Sequence, residues 1–315
     1  MSEVATMRRK KAESLATDVL GETPSGLESP LTVLASPAWR GVEGDIWRAS
    51  SQDRSIILKH YHDDTFFYVD QSPAILAAEE AGRLGVGPNV LRTAVNDCLL
   101  VLTDLTSPWV AGGLHHALDP ELRSAVISQK KAFQKGASLE KSISIFDEIE
   151  ALFDIIKSES ITTHNDIEPF MAFVRDAASK INALGRDHVP CHRDGNTANL
   201  MVHPDKSVRL IDFDLAANCD PFEDIGAYLV EFFESDGEAR AGFEEWHGSF
   251  DEGLFQRSMI YGLADDLRWG LIGSIMGARS ERSSLEFTKY AAWRFLRLQV
   301  QAKRSDANDR IRLAE

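Results

Sequence analysis

The residues best placed to do chemistry lie between Val189 and Gly226, where the chain reads VPCHRDGNTANLMVHPDKSVRLIDFDLAANCDPFEDIG. A carboxylate, Asp194, is followed by an amide, Asn199, and then by two mostly apolar runs, Leu200–Val202 and Val208–Ile211, split by the turn-forming His203-Pro204-Asp205-Lys206. Short apolar runs bounded by turn residues predict the two strands of a small hairpin. The second strand delivers Asp212 to its end, with Asp214 just beyond. A loop carboxylate, a loop amide and a strand-end carboxylate thus converge on one point. The chemistry that uses such a set is phosphoryl transfer, whose loose transition state needs positioning and charge neutralisation more than covalent help. Magnesium takes oxygen ligands, usually only one or two of them from protein, and Asn199 and Asp212 can supply those. Asp194 is then free to orient an acceptor hydroxyl and take its proton as catalytic base.

The order H-R-D-x-x-x-x-N, strand, D-F matches the catalytic and metal-binding loops of kinases; here it is His192, Arg193, Asp194 and Asn199, then Asp212 and Phe213. Such a loop needs a sheet to present the nucleotide, and the pattern from Leu31 turns to short strands: LTVLA, a loop SPAWRGVEGD, IWRAS, a turn at Ser51–Arg54, and SIILKHY. Gly41-Val42-Glu43-Gly44 could cover ATP phosphates or merely turn a hairpin, since it lacks the G-x-G-x-x-G spacing. Lys59 closes the apolar run Ile56-Ile57-Leu58, the place of the lysine that holds the α- and β-phosphates in kinases. A helix is predicted over Pro73–Leu84 with Ser72 as N-cap. On it Glu79 or Glu80, about 100° apart around an ideal helix, could pair with Lys59 or stay solvated. CLLVLTDL predicts a buried strand running into a hinge, where backbone groups of Thr103, Asp104 and Leu105 would bind adenine. From Pro120 to Leu184 apolar residues recur at three- and four-residue spacing, predicting helices. Lys130, Lys131 and Lys135 read as a solvated face of the first of these.

At 315 residues the chain can bury a large core, and 43% hydrophobic with 26% charged residues is ordinary for a globular protein. A net charge of −15 argues against nucleic-acid or anionic-membrane partners, because phosphate groups would be repelled. Cys98, Cys191 and Cys219 lack metal-ligand spacing, which fits a reduced, cytoplasmic protein. The start, MSEVATMRRKKAES, has basic residues without an apolar core behind them, so no secretory signal is expected, and no apolar run is long enough to span a bilayer.

After Asp212-Phe213 the chain lacks the long activation segment and the A-P-E motif of protein kinases, so the expected acceptor is a small molecule rather than a protein. Asp224, near a predicted helix start, is expected to cap that helix or hold the catalytic loop. The arrangement over roughly Leu31–Glu231 resembles the aminoglycoside phosphotransferase and choline/ethanolamine kinase superfamily, through H-x-D-x-x-x-x-N, I-D-F and D-P-x-x-D-I-G. Asp224-Ile225-Gly226 with Glu231-Phe232, then Trp269-Gly270-Leu271, Leu285-Glu286-Phe287, Tyr290-Ala291 and Arg294-Phe295, is similar to the choline/ethanolamine kinase branch. Ile272 stands where that branch usually has a second tryptophan, and the stretch between Phe287 and Tyr290 is shorter.

The resemblance implies an α+β, protein-kinase-like fold of two lobes. Its parts would be an ATP-binding lobe over 31–105 and a mainly helical lobe over 106–315 with the catalytic loop and acceptor pocket; ahead of them a polar N-terminal arm over 1–30 reads from its residues as a polar helix or a frayed arm over Met1–Leu20 and a linker over Gly21–Pro30. It implies ATP and Mg2+ as cofactors, Asp194 as base, Asn199 and Asp212 as metal ligands, and Lys59 on phosphates. Glu231, Trp269 and Tyr290 would line a pocket for a small, cationic amino alcohol, the alternative for the two rings being plain helix packing. Aromatic faces and a carboxylate suit a quaternary ammonium, which has no N–H to donate. Asp265 and Asp266 could add charge there or be solvated. An amino sugar or aminoglycoside acceptor, or a non-catalytic nucleotide-binding role, are the alternatives. The choice between ATP and GTP, and whether the protein is a homodimer, stay open.

Overall fold

The computed structural model describes residues 3–30, 41–52, 54–282, 285–304 and 307–315; the strand expected over 31–35 lies outside them. The small lobe comprises α1 (Glu3–Leu20), β1 (Leu27–Glu28), β2 (Gly44–Ser50), β3 (Ser55–Tyr61), α2 (Gln71–Arg83), β4 (Val90–Ala94) and β5 (Leu99–Thr103). Its strands form one antiparallel sheet in the order β1-β2-β3-β5-β4. The register sets Lys59 of β3 between Ile46 of β2 and Leu100 of β5.

Residues 3–20 form a helix rather than a frayed arm, and it is packed on the small lobe. Ala12 and Ala16, one turn apart on α1, are fully buried with Ile56, Leu58 and Val101 of the sheet, and Leu27 adds a short strand to its edge. Two small residues at i and i+4 let an otherwise polar helix lie close on a sheet.

The large lobe adds β6 (Val110–Ala111), α3 (Leu114–Ala117), α4 (Pro120–Gln134), α5 (Ile145–Ser158), α6 (Ile167–Leu184) and four strands, β7 (Val189–Cys191), β8 (Leu200–Val202), β9 (Val208–Leu210) and β10 (Ala217–Cys219). Helices α7 (Pro221–Phe232), α8 (Asp236–His247), α9 (Glu252–Arg279), α10 (Phe287–Arg304) and α11 (Ala307–Leu313) complete it. The predicted hairpin is β8–β9, paired Leu200 to Leu210, and β7 pairs with β10 so that the two flanks of the catalytic segment meet. Caps fix the helix starts. Asp119 and Asp220 accept first-turn amides, each with proline following at the first helical position. Asp220, rather than Asp224, caps α7.

Helix α9 is the spine of the lobe. Every residue from Phe255 to Met276 is buried, and α5, α7, α10 and α11 surround it. A helix enclosed on all sides needs no polar face, so its charged residues require partners inside. Among the described residues no helix is long and apolar enough to cross a membrane.

Candidate active site

The catalytic segment is held from below by α7. Asp224, fully buried, accepts the backbone amides of His192 at 3.2 Å and Arg193 at 2.8 Å. That clamps the loop while Arg193 sits in the left-handed region at φ 63°, a conformation that costs free energy outside glycine. Lys130 completes the clamp: its ammonium is 3.0 Å from both Asp224 Oδ1 and the carbonyl of Asp194. Lys130 is therefore no part of a solvated face, being 2% exposed; its neighbour Lys131 donates to the carbonyl of Trp246. The buried Arg193 guanidinium is shared by Glu223, 2.9 Å away, and Glu148. Burial alone would raise the Glu148 carboxyl, but Arg193 and Arg268 beside it bring it down to about 2.

Asp194 is oriented by two donors. Its Oδ1 accepts the Asn196 amide at 2.7 Å and its Oδ2 accepts Asn199 Nδ2 at 2.9 Å, leaving a lone pair on each oxygen. Gly195 follows because nothing larger fits: a Cβ there would lie 2.1 Å from the carbonyl of Ala227 and 3.1 Å from Glu231 Cγ. The His192 ring spans from the carbonyl of Asp194 to that of Ile211, 3.0 Å from each. Ile211 also donates its amide to Asn199. Asp194, Asn199 and the strand end carrying Asp212 are thus one connected unit.

Across the cleft, Lys59 Nζ lies 2.6 Å from Asp212 Oδ1 and 2.5 Å from Asp214 Oδ2. Neither Glu79 nor Glu80 takes that place. Glu79 is exposed, Glu80 pairs with Arg83 and accepts the Ala137 amide, and the helix turns Ala74 and Ala78 toward Lys59 instead. A third carboxylate arrives from a residue the sequence reading passed over. Glu43, just before Gly44, is 8% exposed, and its ligand oxygens, with those of Asp212 and Asp214, lie within 4.8 Å of one another. Gly44 permits the approach, since a Cβ on it would stand 2.7 Å from the His60 carbonyl and 3.2 Å from Lys59 Cγ.

Burial and the charge of Asp212 push the Glu43 carboxyl up to about 7. Burial likewise raises Asp214, whereas Lys59 outweighs burial at Asp212 and holds it low. Three carboxylates around one ammonium leave a surplus of negative charge, and the oxygen donors of Asp212 and Asn199 suit a hard divalent cation. At the hinge, the Asp104 carboxylate is taken by Arg48 at 2.6 Å and Ser55 at 2.8 Å, and the Thr103 hydroxyl accepts the Asn89 amide.

On the other flank of the catalytic loop Glu231, Trp269 and Tyr290 are brought together. The two rings meet edge to face, 6.2 Å apart. They are 6% and 4% exposed and belong to the lobe's core. Glu231 is not bare: Arg294 reaches it at 3.0 Å and Arg297 at 3.1 Å. The Arg294 guanidinium is also 5.1 Å from the Tyr290 ring and 5.9 Å from that of Trp269. Asp265 pairs with Arg268, and Asp266 with Arg294 and Arg297, so neither aspartate is solvated.

Residues 154–257 match the profile of the phosphotransferase enzyme family. Among solved structures, the chain is similar to a choline/ethanolamine kinase family protein from Mesorhizobium loti, at 18% identity over 97% of this chain and 98% of that one, with a TM-score of 0.79. It is also similar to choline kinase LicA from Streptococcus pneumoniae, at 16% identity over 95% and 100% of the two chains and a TM-score of 0.73. A spectinomycin phosphotransferase bound to AMP matches at 14% identity over 92% and 97%, with a TM-score of 0.60. The comparison with curated protein sequences gives no match. The profile match spans the catalytic loop, and the likeness to these structures extends over the whole fold, as the motifs implied.

Proposed function

We propose that the protein is an ATP- and magnesium-dependent kinase that phosphorylates a hydroxyl of a choline- or ethanolamine-like amino alcohol. The observation that carries this reading is the position of Asp194 between two clusters. Lys59 and Asp212 stand on one side, and Glu231 with Trp269 and Tyr290 on the other, Glu231 packing directly against the residue after Asp194.

In this reading Thr103, Asp104 and Leu105 hold adenine through their backbone and Lys59 contacts the phosphates once nucleotide replaces its carboxylate partners. Asp212 and Asn199 would hold magnesium, which supplies charge neutralisation on the transferring group. Asp194, fixed by Asn196 and Asn199, points a free lone pair at the acceptor hydroxyl and takes its proton. The acceptor oxygen bonds phosphorus as the bond to the ADP oxygen breaks. The enzyme would work in the cytoplasm on small molecules.

Arg294 favours a second reading. The protein's own guanidinium already pairs with Glu231 beside both rings, so a quaternary ammonium would have to share or displace it, whereas the hydroxyls of an amino sugar or aminoglycoside could hydrogen-bond to the ion pair. ADP release with magnesium-ATP separates the two. The panel is choline, ethanolamine, methylated amino alcohols, amino sugars and aminoglycosides. Turnover restricted to amino alcohols supports the first reading and turnover restricted to sugars the second. Silence throughout, or turnover undiminished in Asp194→Ala, would sink both.

A further inference from the structure

The second tryptophan usual in choline kinases is replaced by Ile272, which is 1% exposed in the core. The aromatic beside Trp269 comes instead from the other lobe. Tyr68 lies in the short connection between β3 and α2, its amide bonded to the Thr65 carbonyl at 3.1 Å. Its ring meets Trp269 edge to face at 6.3 Å, nearly the separation of Trp269 from Tyr290. It packs against hydrophobic clusters on both sides of the cleft. Of these three aromatics it alone keeps appreciable exposed surface.

Its hydroxyl faces the opposite way, donating to Glu43 Oε1 at 3.1 Å, and Glu43 adjoins Asp212 and Asp214. Burial, followed by the charge of Glu43, raises the Tyr68 hydroxyl well above its ordinary value, so the group stays a donor. The connection is itself anchored across the cleft. Arg282, just beyond α9, reaches Asp64 at 2.9 Å and the carbonyl of Val42 at 2.6 Å.

We propose that Tyr68 is an acceptor-specificity residue supplied by the small lobe: its ring completes the wall begun by Trp269 and Tyr290, and its hydroxyl ties that wall through Glu43 to the phosphate-side carboxylates. This rests on the reading that Glu231, Trp269 and Tyr290 form the acceptor pocket. The ring takes the apolar methylene or N-methyl face of an amino alcohol, while the hydroxyl positions Glu43 without touching the acceptor.

The test is steady-state kinetics of Tyr68→Ala, Tyr68→Phe and Trp269→Ala with the panel alcohol that the wild type uses best. Removing the ring should raise KM for that alcohol about tenfold, one aromatic contact's worth, and, at saturating magnesium, leave KM for magnesium-ATP within about twofold. Tyr68→Phe should keep the acceptor KM and raise the magnesium concentration for half-maximal rate about threefold, an effect of losing one hydrogen bond. If Tyr68→Ala does not fold, Tyr68→Leu replaces it. An acceptor KM unmoved by loss of the Tyr68 ring but raised by Trp269→Ala overturns the inference and leaves the pocket standing. If neither change moves it, or no panel alcohol is turned over, the pocket reading fails and this inference with it.

Discussion

The two clusters flanking Asp194 contain the same number of carboxylates and differ in what answers them. On the phosphate side Glu43, Asp212 and Asp214 face the single ammonium of Lys59. On the acceptor side Glu231, Asp265 and Asp266 face Arg268, Arg294 and Arg297. The first is incomplete without added positive charge, and its carboxyls register the deficit in the raised values of Glu43 and Asp214. The second is closer to balance: burial would raise Glu231, but Arg297 and Arg294 keep it below its ordinary value, while burial leaves Asp265 above its own. On the proposed reading, one flank would receive a cation, and the other is an ion-pair network whose specificity would come from shape, ring faces and hydrogen bonds.

Breaking the better-balanced side should have the largest effect. Arg294→Met leaves Glu231 and Asp266 short of a partner in a buried setting, and should lower unfolding free energy by about 3–5 kcal/mol, read by denaturant titration. A loss under about 1 kcal/mol would mean that the network is not the closed unit described.

The phosphate side should respond with the opposite sign. Glu43 has a folded value near 7, above its ordinary 4.5. The native state therefore holds an extra proton between those values, and stability contributed below them is lost as pH rises through the folded value. Glu43→Gln should stabilise the metal-free protein at pH 8 by on the order of 2 kcal/mol, and flatten thermal stability between pH 5 and 8. Magnesium should stabilise the wild type more than the variant. Melting curves with and without the ion decide it, and a destabilised variant at pH 8 would contradict the charge surplus.

The smallest effect belongs to Glu79→Ala. Its carboxylate is exposed and apart from Lys59, so stability should shift by less than about 0.5 kcal/mol with kcat unchanged. A large drop in kcat would revive the helix glutamate as the lysine's partner.

What the sequence made legible was local. The β8–β9 hairpin, the strand carrying Lys59, and the loop holding Asp194 and Asn199 are written in runs of a few residues whose alternation and turn signals need no distant partner. Asp224 could be read as support for the loop because it opens a helix just downstream. The missed residues all depend on contacts far along the chain. Lys130 sits in a polar run of α4 and looks solvated until Asp224, on α7, is known to lie beneath it. Glu43 precedes Gly44 in an apparent hairpin, and only the approach of the β9 end makes it part of a carboxylate cluster. Tyr68 belongs to a connection with no periodicity. The docking of the N-terminal helix was not legible because its buried face includes Ala12 and Ala16, which carry little hydropathy signal.

The enclosed helix α9 carries Asp265, Asp266, Arg268 and Trp269 within one turn and a half, each reaching a neighbouring helix or ring: Asp265 and Asp266 meet Arg294 of α10, Arg268 meets Glu148 of α5, and Trp269 meets the Tyr290 ring. That arrangement limits how a descendant of this protein could acquire a new substrate. Substitutions along α9 would meet packing on every side, so heritable change in acceptor choice has to be drawn from the walls around it. A mutational library confined to Tyr68 and Tyr290 would explore that freedom while leaving the ion pairs of the spine in place.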